Sequence, residues 1–258
     1  MFQKLKFNDI GIILRNSFCG VKAKLLLNLL LMSLVSVVVL VAVYIMSSSI
    51  EQGSAIFSIL LTAITFAVVN LVIATLIINN QVYQSQLTSI KWFAHILEEF
   101  KRCNLLPLII LLTMLEIIPN LVFSYIAPLI NSAELLQLAG ILLQLIVFAL
   151  CIIGVFALIL NVRTNGEFKL FLVIKLAIQF ILKNILILIV LHVITVIFFL
   201  LVNFAFSLID MKVLNIALSM VVVFGQFIAN LILIMWSVAL ADNCLNLIVS
   251  TQLLVKET

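Results

Sequence analysis

The sequence predicts an all-α fold, a polytopic bundle of membrane-spanning helices, and two observations predict it. Of the 258 residues, 66% are hydrophobic and only 9% are charged, whereas a soluble domain carries about 25% charged residues. A soluble core cannot hide this much apolar surface from water, so lipid must be the solvent. The apolar runs are also apolar at nearly every position, which predicts helices and not the alternating strands of a β-barrel.

Six stretches are long enough to cross a bilayer, since each meets the requirement of roughly 20 apolar residues. They are residues 25–46, 55–78, 105–127, 135–160, 185–209 and 213–240. Almost no sequence is left for a soluble domain. We therefore expect residues 1–258 to form a single integral membrane domain.

The positive charges predict the orientation of these spans. Thirteen of the 14 lysines and arginines lie before the first span, between the second and third, between the fourth and fifth, or after the sixth, and only Lys212 lies on the other side. Cytoplasmic loops carry the excess of Lys and Arg. Both termini and the longer loops are therefore expected in the cytoplasm.

The segment EFKLFLVIKLAIQFILKN, which ends at Asn184, is apolar but is not predicted to cross the membrane. On a helix, Lys175, Gln179 and Lys183 form one narrow polar stripe among apolar faces, which is typical of a helix that lies in the membrane interface. A span here would bring Lys175 to mid-membrane and invert every later loop. We therefore predict an in-plane "elbow" helix over residues 167–183.

The same amphipathic pattern predicts elbow helices at residues 8–18 (NDIGIILRNSF) and 89–103 (SIKWFAHILEEFKRC). Near the end of each elbow an asparagine precedes an apolar hairpin, and these asparagines, Asn16, Asn104 and Asn184, are spaced 88 and 80 residues apart. Regular spacing of this kind indicates duplication. The prediction is three copies of one unit, each an elbow helix followed by two spans.

Polar residues inside the predicted spans form a candidate intramembrane site: Glu116, His192, Asn70 and Asn230. Glu116 is the strongest candidate of the four, because it lies roughly 18 Å from the cytoplasmic start of its span. A bare carboxylate there costs at least about 2.5 kcal/mol, so it should be protonated, paired or facing a wet cavity. Two interpretations stay open, namely a site for a headgroup, proton or ion, and ordinary interhelical hydrogen bonds worth about 0.6 kcal/mol each.

The basic residues of the second and third elbows are candidate contacts for lipid headgroups. They are Lys91, Lys101, Arg102, Lys169, Lys175 and Lys183. Each surface lysine contributes about 1 kcal/mol of attraction to an anionic membrane, although the same charges also set the topology. Membrane lipids, including anionic phospholipids, are therefore the expected partners. The sequence has no soluble face for nucleic acid and does not indicate a protein partner or an oligomeric state.

The motifs of common membrane enzymes and pumps are missing. The sequence contains no G-x-x-x-x-G-K-[ST], no G-x-S-x-G and no H-E-x-x-H. His95 and His192 do not form a familiar zinc or haem pair, and the four cysteines include no C-x-x-C. We therefore expect a protein that is not an enzyme and has no catalytic residues, metal or cofactor.

Three stretches, LRNSF near the start, CNLLPLIILL entering the third span and EFKLFLVIKLAIQFILKN before the fifth, carry a family resemblance. With the elbow-plus-hairpin pattern, the chain resembles the YciC-type family of uncharacterised bacterial inner-membrane proteins, which are distantly similar to the membrane domain of some glycerophosphodiester phosphodiesterases. The resemblance implies a bacterial inner-membrane protein with an envelope or lipid-related role, and no catalytic residues.

The expected function is therefore that of a non-enzymatic inner-membrane protein that serves envelope maintenance through lipid or protein contacts. The alternative is a small transporter or permease subunit that uses an intramembrane site around Glu116 and His192.

Overall fold

A computed structural model describes residues 4–19, 21, 55–82, 89–210 and 216–256. Within these ranges every regular element is a helix. They are α1 (residues 9–19), α2 (Ala55–Val82), α3 (Ser89–Arg102), α4 (Leu105–Ile126), a 3-10 turn (Ala127–Leu129), α5 (Ala133–Arg163), α6 (Leu170–Asp210) and α7 (Ile216–Lys256).

Five of these helices are long and apolar enough to cross a membrane. The candidate spans are Ile59–Ile78, Leu105–Leu129, Ala133–Arg163, Leu170–Ile209 and Val221–Asn246. The predicted all-α, multi-pass membrane architecture is confirmed to this extent. The first predicted span, residues 25–46, lies outside the described residues, so the count of six and the threefold repeat stay predictions.

One compact unit, Leu34–Ile178, is built on α2, α4 and α5, which pack against one another. Their buried side chains come from the last part of α2, the first half of α4 and the last part of α5. The three helices are therefore tightest at the end where α3 leads into α4. Because lipid is as apolar as these side chains, van der Waals packing holds them together.

The same unit contains a tight turn after α5. Asn165 N–H donates to Val162 O at 3.2 Å and Gly166 N–H donates to Asn161 O at 2.9 Å, which is the paired bonding of a Schellman cap. Asn165 and Gly166 both have a positive φ, 52° and 71°. The turn packs on the start of α4, where Asn161 Nδ2 donates to Cys103 O at 2.5 Å.

The other compact unit, Met1–Ser33 with Gln179–Thr258, contains α1, most of α6 and α7. α1 packs through Ile13 and Ser17, which are fully buried. Ser17 Oγ donates to Ile13 O at 2.6 Å and accepts from Asn243 Nδ2 of α7 at 3.1 Å. α1 runs through Asn16 to residue 19.

Helix α6 bends at Asn184, which has φ −115° and ψ 16°. A straight helix of its 41 residues would be about 60 Å long, twice the thickness of the hydrocarbon core. The non-helical residue divides it into residues 170–183 and 185–210. Asn104, the corresponding asparagine before α4, is also non-helical, with φ 48° and ψ 46°.

Helix α7 extends further than expected. The sequence predicts a span ending at residue 240, but the helix continues to Lys256. No glycine or proline follows Gly225 to stop it. Asn243 also anchors the continuation, because its side chain contacts Ser17 and donates to Ala239 O at 2.8 Å.

Candidate intramembrane polar site and basic elbow surface

The unit of α2, α4 and α5 places a carboxyl group in its interior. Glu116 of α4 and Asn70 of α2 are each only 2% exposed. Asn70 Nδ2 donates to Glu116 Oε2 at 3.0 Å and to Thr113 Oγ1, one turn earlier on α4, at 3.4 Å. The structure thus brings together two of the four residues in the predicted site and adds Thr113, which the sequence prediction omitted.

Helix α5 supplies the other side of this site. The thiol of Cys151 lies near the Glu116 carboxyl. One turn further on, Gly154 is buried, and a Cβ added to it would lie 3.6 Å from Glu116 Oε1. The missing side chain of Gly154 therefore leaves a space of about one methyl group beside Oε1. We name the cluster of Asn70, Thr113, Glu116, Cys151 and Gly154 the Glu116 site.

The Glu116 site lies at the middle of the candidate spans. Glu116 is at the centre of Leu105–Leu129, Asn70 is close to the centre of Ile59–Ile78, and Cys151 is just past the centre of Ala133–Arg163. The carboxyl group accepts a hydrogen bond from an amide and has a thiol nearby. Within the described part of the chain, its recorded contacts include no lysine, arginine or histidine.

The remaining two residues of the predicted site belong to the other unit. Asn230 of α7 accepts from Asn203 Nδ2 of α6 at 3.1 Å, and Gln226 Nε2 donates to Asn203 Oδ1 at 2.7 Å. These amides form a ladder between two helices, as expected for ordinary interhelical bonding. His192 is exposed on α6. Asn203 was missed, although an asparagine in an apolar run is itself a signal.

The second elbow, α3, carries one buried glutamate and, at its end, two exposed basic residues. Glu99 is buried, and its Oε2 lies 2.6 Å from Arg102 Nη2. Arg102 and Lys101 are exposed at the helix end, where cations favour the helix dipole. Burial and the neighbouring Glu99 carboxylate raise the pKa of the Cys103 thiol. The side chain of Lys91 lies outside those that the structure describes.

The third elbow, residues 170–183 of α6, presents a buried side and an exposed side, and on the exposed side polar and apolar side chains lie next to one another. Val173, Ala177 and Phe180 are fully buried. The polar stripe of the sequence is next to them, with Lys175 and Gln179 exposed and Lys183 half-buried. Exposed apolar side chains border this stripe, namely Phe171 at 78%, Ile178 at 38% and Leu182 at 65% exposure, and Leu172, at 41%, lies within it. Lys169, just before the helix, is exposed as well.

No group of three or more His, Cys, Asp or Glu side chains suited to a metal ion occurs among the residues that the structure describes. Comparisons of the chain with protein-family models, with curated proteins and with solved structures find no match. The resemblance to the YciC-type family therefore stays a prediction.

Proposed function

We propose that this chain is a non-enzymatic, multi-pass protein of the bacterial inner membrane, with both termini in the cytoplasm, that serves envelope maintenance by binding anionic phospholipids at its cytoplasmic surface. The elbow helix over residues 170–183 lies in the headgroup layer and is the main lipid-binding surface. The spans anchor it, and Lys101 and Arg102 of α3 add a second basic patch.

The observation that carries this proposal is that the elbow buries one side and, on the other, exposes lysines beside large apolar side chains. A helix that spans the bilayer meets only protein and hydrocarbon along its middle, so Lys175 would face lipid tails there. A helix in the interface meets protein, acyl chains and headgroups at once, and needs side chains suited to each. Val173 is buried against protein, while Phe171 and Lys175, one turn apart on the exposed side, offer an apolar and a cationic side chain to the interface.

Removing two exposed lysines should weaken the retention of anionic lipid. Each contributes about 1 kcal/mol, so the double substitution Lys169→Ala with Lys175→Ala is expected to reduce the preference for anionic over zwitterionic phospholipid roughly 30-fold. The measurement is native mass spectrometry of the full chain released from nanodiscs that contain phosphatidylglycerol and phosphatidylcholine. The bound ratio of the two lipids is compared with the ratio supplied.

Gln179→Ala is the matched control, because Gln179 lies on the same exposed stripe but carries no charge. It should leave the lipid ratio unchanged. An unchanged ratio in the double-lysine variant as well would contradict the proposal, and so would a wild-type protein that shows no preference for anionic lipid.

The alternative function, a small transporter or permease subunit, has one observation in its favour. Glu116 is buried at mid-span and hydrogen-bonded to Asn70, and an ionisable residue at this depth is a functional hypothesis by default. If transport is the function, Glu116→Gln should abolish it in a cell-based assay while the protein still inserts. The lipid-binding function predicts tolerance of that change and sensitivity to loss of Lys175 and Lys183.

A further inference from the structure

We infer that the Glu116 site is a proton-binding site, in which Glu116 is a neutral carboxylic acid at neutral pH and exchanges its proton through the space beside Gly154. This inference is independent of the lipid-binding surface, because it concerns other residues at another depth. The ligand of the Glu116 site is a single proton.

The surroundings of the carboxyl group favour the neutral form. A charged group at the centre of a bilayer costs at least about 2.5 kcal/mol, and a buried charge is tolerated only when it is paired. The side chain of Glu116 accepts from Asn70 and lies near Cys151, and neither of these groups is a cation. A proton on Glu116 removes the charge and keeps the hydrogen bond from Asn70 to Oε2.

The charged groups of the packed helices lie too far away to replace the proton. Helix α2 has no titratable side chain between Ala55 and Val82. On α5, Cys151 faces the carboxyl, while Glu134 and Arg163 stand at the two ends of the helix. The charges of α3 precede the start of α4, about 17 Å along the helix from Glu116. Cys151 is thus the one titratable group that these helices direct at the carboxyl.

The two carboxyl oxygens have different surroundings, which assigns the position of the proton. Oε2 accepts from Asn70 Nδ2, so it serves as the carbonyl oxygen of the neutral acid. Oε1 faces the place where Gly154 lacks a side chain, with Leu112 on its other side. The acidic O–H therefore belongs on Oε1, next to the methyl-sized space at Gly154.

Infrared difference spectroscopy of the full chain in lipid vesicles at neutral pH tests this inference. The spectrum of Glu116→Gln is subtracted from that of the wild type. We expect a carbonyl band of a protonated carboxyl with the intensity of one group per chain, which shifts when the vesicles are moved into heavy water. Gln keeps an oxygen that accepts from Asn70, so the variant should fold. Glu116→Asp is the second variant, in which the band should move and not vanish.

Three results would overturn the inference. A carboxylate band in place of the carbonyl band means that Glu116 is ionised. A carbonyl band that never shifts in heavy water means a sealed structural acid and not a proton-binding site. The third result concerns the variant Gly154→Ala, in which the added Cβ would make ordinary contacts at 3.6 Å with Glu116 and Leu112. This change should slow the isotope shift several-fold, and an unchanged rate would exclude the route past Gly154.

Discussion

Replacing Gly166 with alanine should destabilise the protein by at least about 3 kcal/mol. Gly166 has φ +71°, a conformation that costs a residue with a Cβ about 1–2 kcal/mol. The added Cβ would also lie 2.8 Å from the carbonyl carbon of Cys103 and 2.9 Å from its oxygen. These are backbone atoms at the junction of α3 and α4, so they cannot move aside as a flexible side chain does. The substitution should disrupt both the C-terminal cap of α5 and the packing of this turn against the start of α4.

The measurement is the free energy of unfolding in detergent micelles, titrated with a denaturing detergent and followed by circular dichroism. Gly140→Ala is the matched control, because Gly140 lies inside α5, the helix that Gly166 follows, and an added Cβ meets nothing within 4 Å. Helix propensity alone predicts that this control gains up to about 1 kcal/mol. Equal effects of the two substitutions would contradict the described packing of the turn on Cys103.

Replacing Asn184 with alanine should cost about 2 to 4 kcal/mol and release the N-terminal segment. The buried Asn184 side chain accepts from Leu5 N–H at 2.8 Å and donates to Phe180 O at 3.0 Å. Alanine leaves the buried Leu5 N–H without an acceptor, which by itself costs about 1–3 kcal/mol. It also removes the side chain that supports the non-helical backbone in α6. The bend at residue 184 is then less stable relative to a straight helix.

Hydrogen exchange of the Leu5 amide, followed by mass spectrometry, reports this contact directly. It should accelerate roughly tenfold or more in Asn184→Ala. Asn203→Ala serves as a comparison, since Asn203 lies on the same helix but bonds to α7 and not to the N-terminal segment. If the Leu5 amide exchanges at the wild-type rate in Asn184→Ala, the anchoring role assigned to Asn184 is wrong.

The helical membrane architecture was predictable from the sequence because each span carries its own signal. A run of about 20 apolar residues needs no partner to be recognised. The unusual backbone at Asn104 and Asn184 also coincides with the asparagines that the sequence indicated. Asn16 carries the same local pattern but stays helical. Its neighbour Ser17 is held within the helix by Ile13 and against α7 by Asn243, contacts that no local pattern reveals.

The composition of the Glu116 site was only partly predictable. The depth of Glu116 and Asn70 follows from counting residues along each span. The rotation of each helix about its axis depends on packing, so the sequence alone did not reveal which polar residues face one another. Thr113 and Cys151 are small, neutral and unremarkable in a span, and Gly154 contributes by lacking a side chain. The Asn203 partner of Asn230 was missed for the same reason.

The central claim is that residues 170–183 lie in the plane of the membrane, and a spin-label scan tests it most directly. Each position is replaced in turn by a labelled cysteine in the full chain, reconstituted in lipid vesicles. Collisions with oxygen and with a water-soluble nickel complex then report the depth of each label. Labels that replace Phe171, Ile178 and Leu182 should favour oxygen, the label at Gln179 should favour nickel, and the label at Lys175, which lies beside Leu182 on the helix, should be intermediate. Labels at Val173 and Ala177 should be shielded from both reagents. If the segment lies in the membrane plane, the mean depth of the labels should stay constant from residue 170 to residue 183. A depth that instead increases steadily from residue 170 to residue 183, by about 1.5 Å per residue, would show that the segment crosses the bilayer and would contradict it.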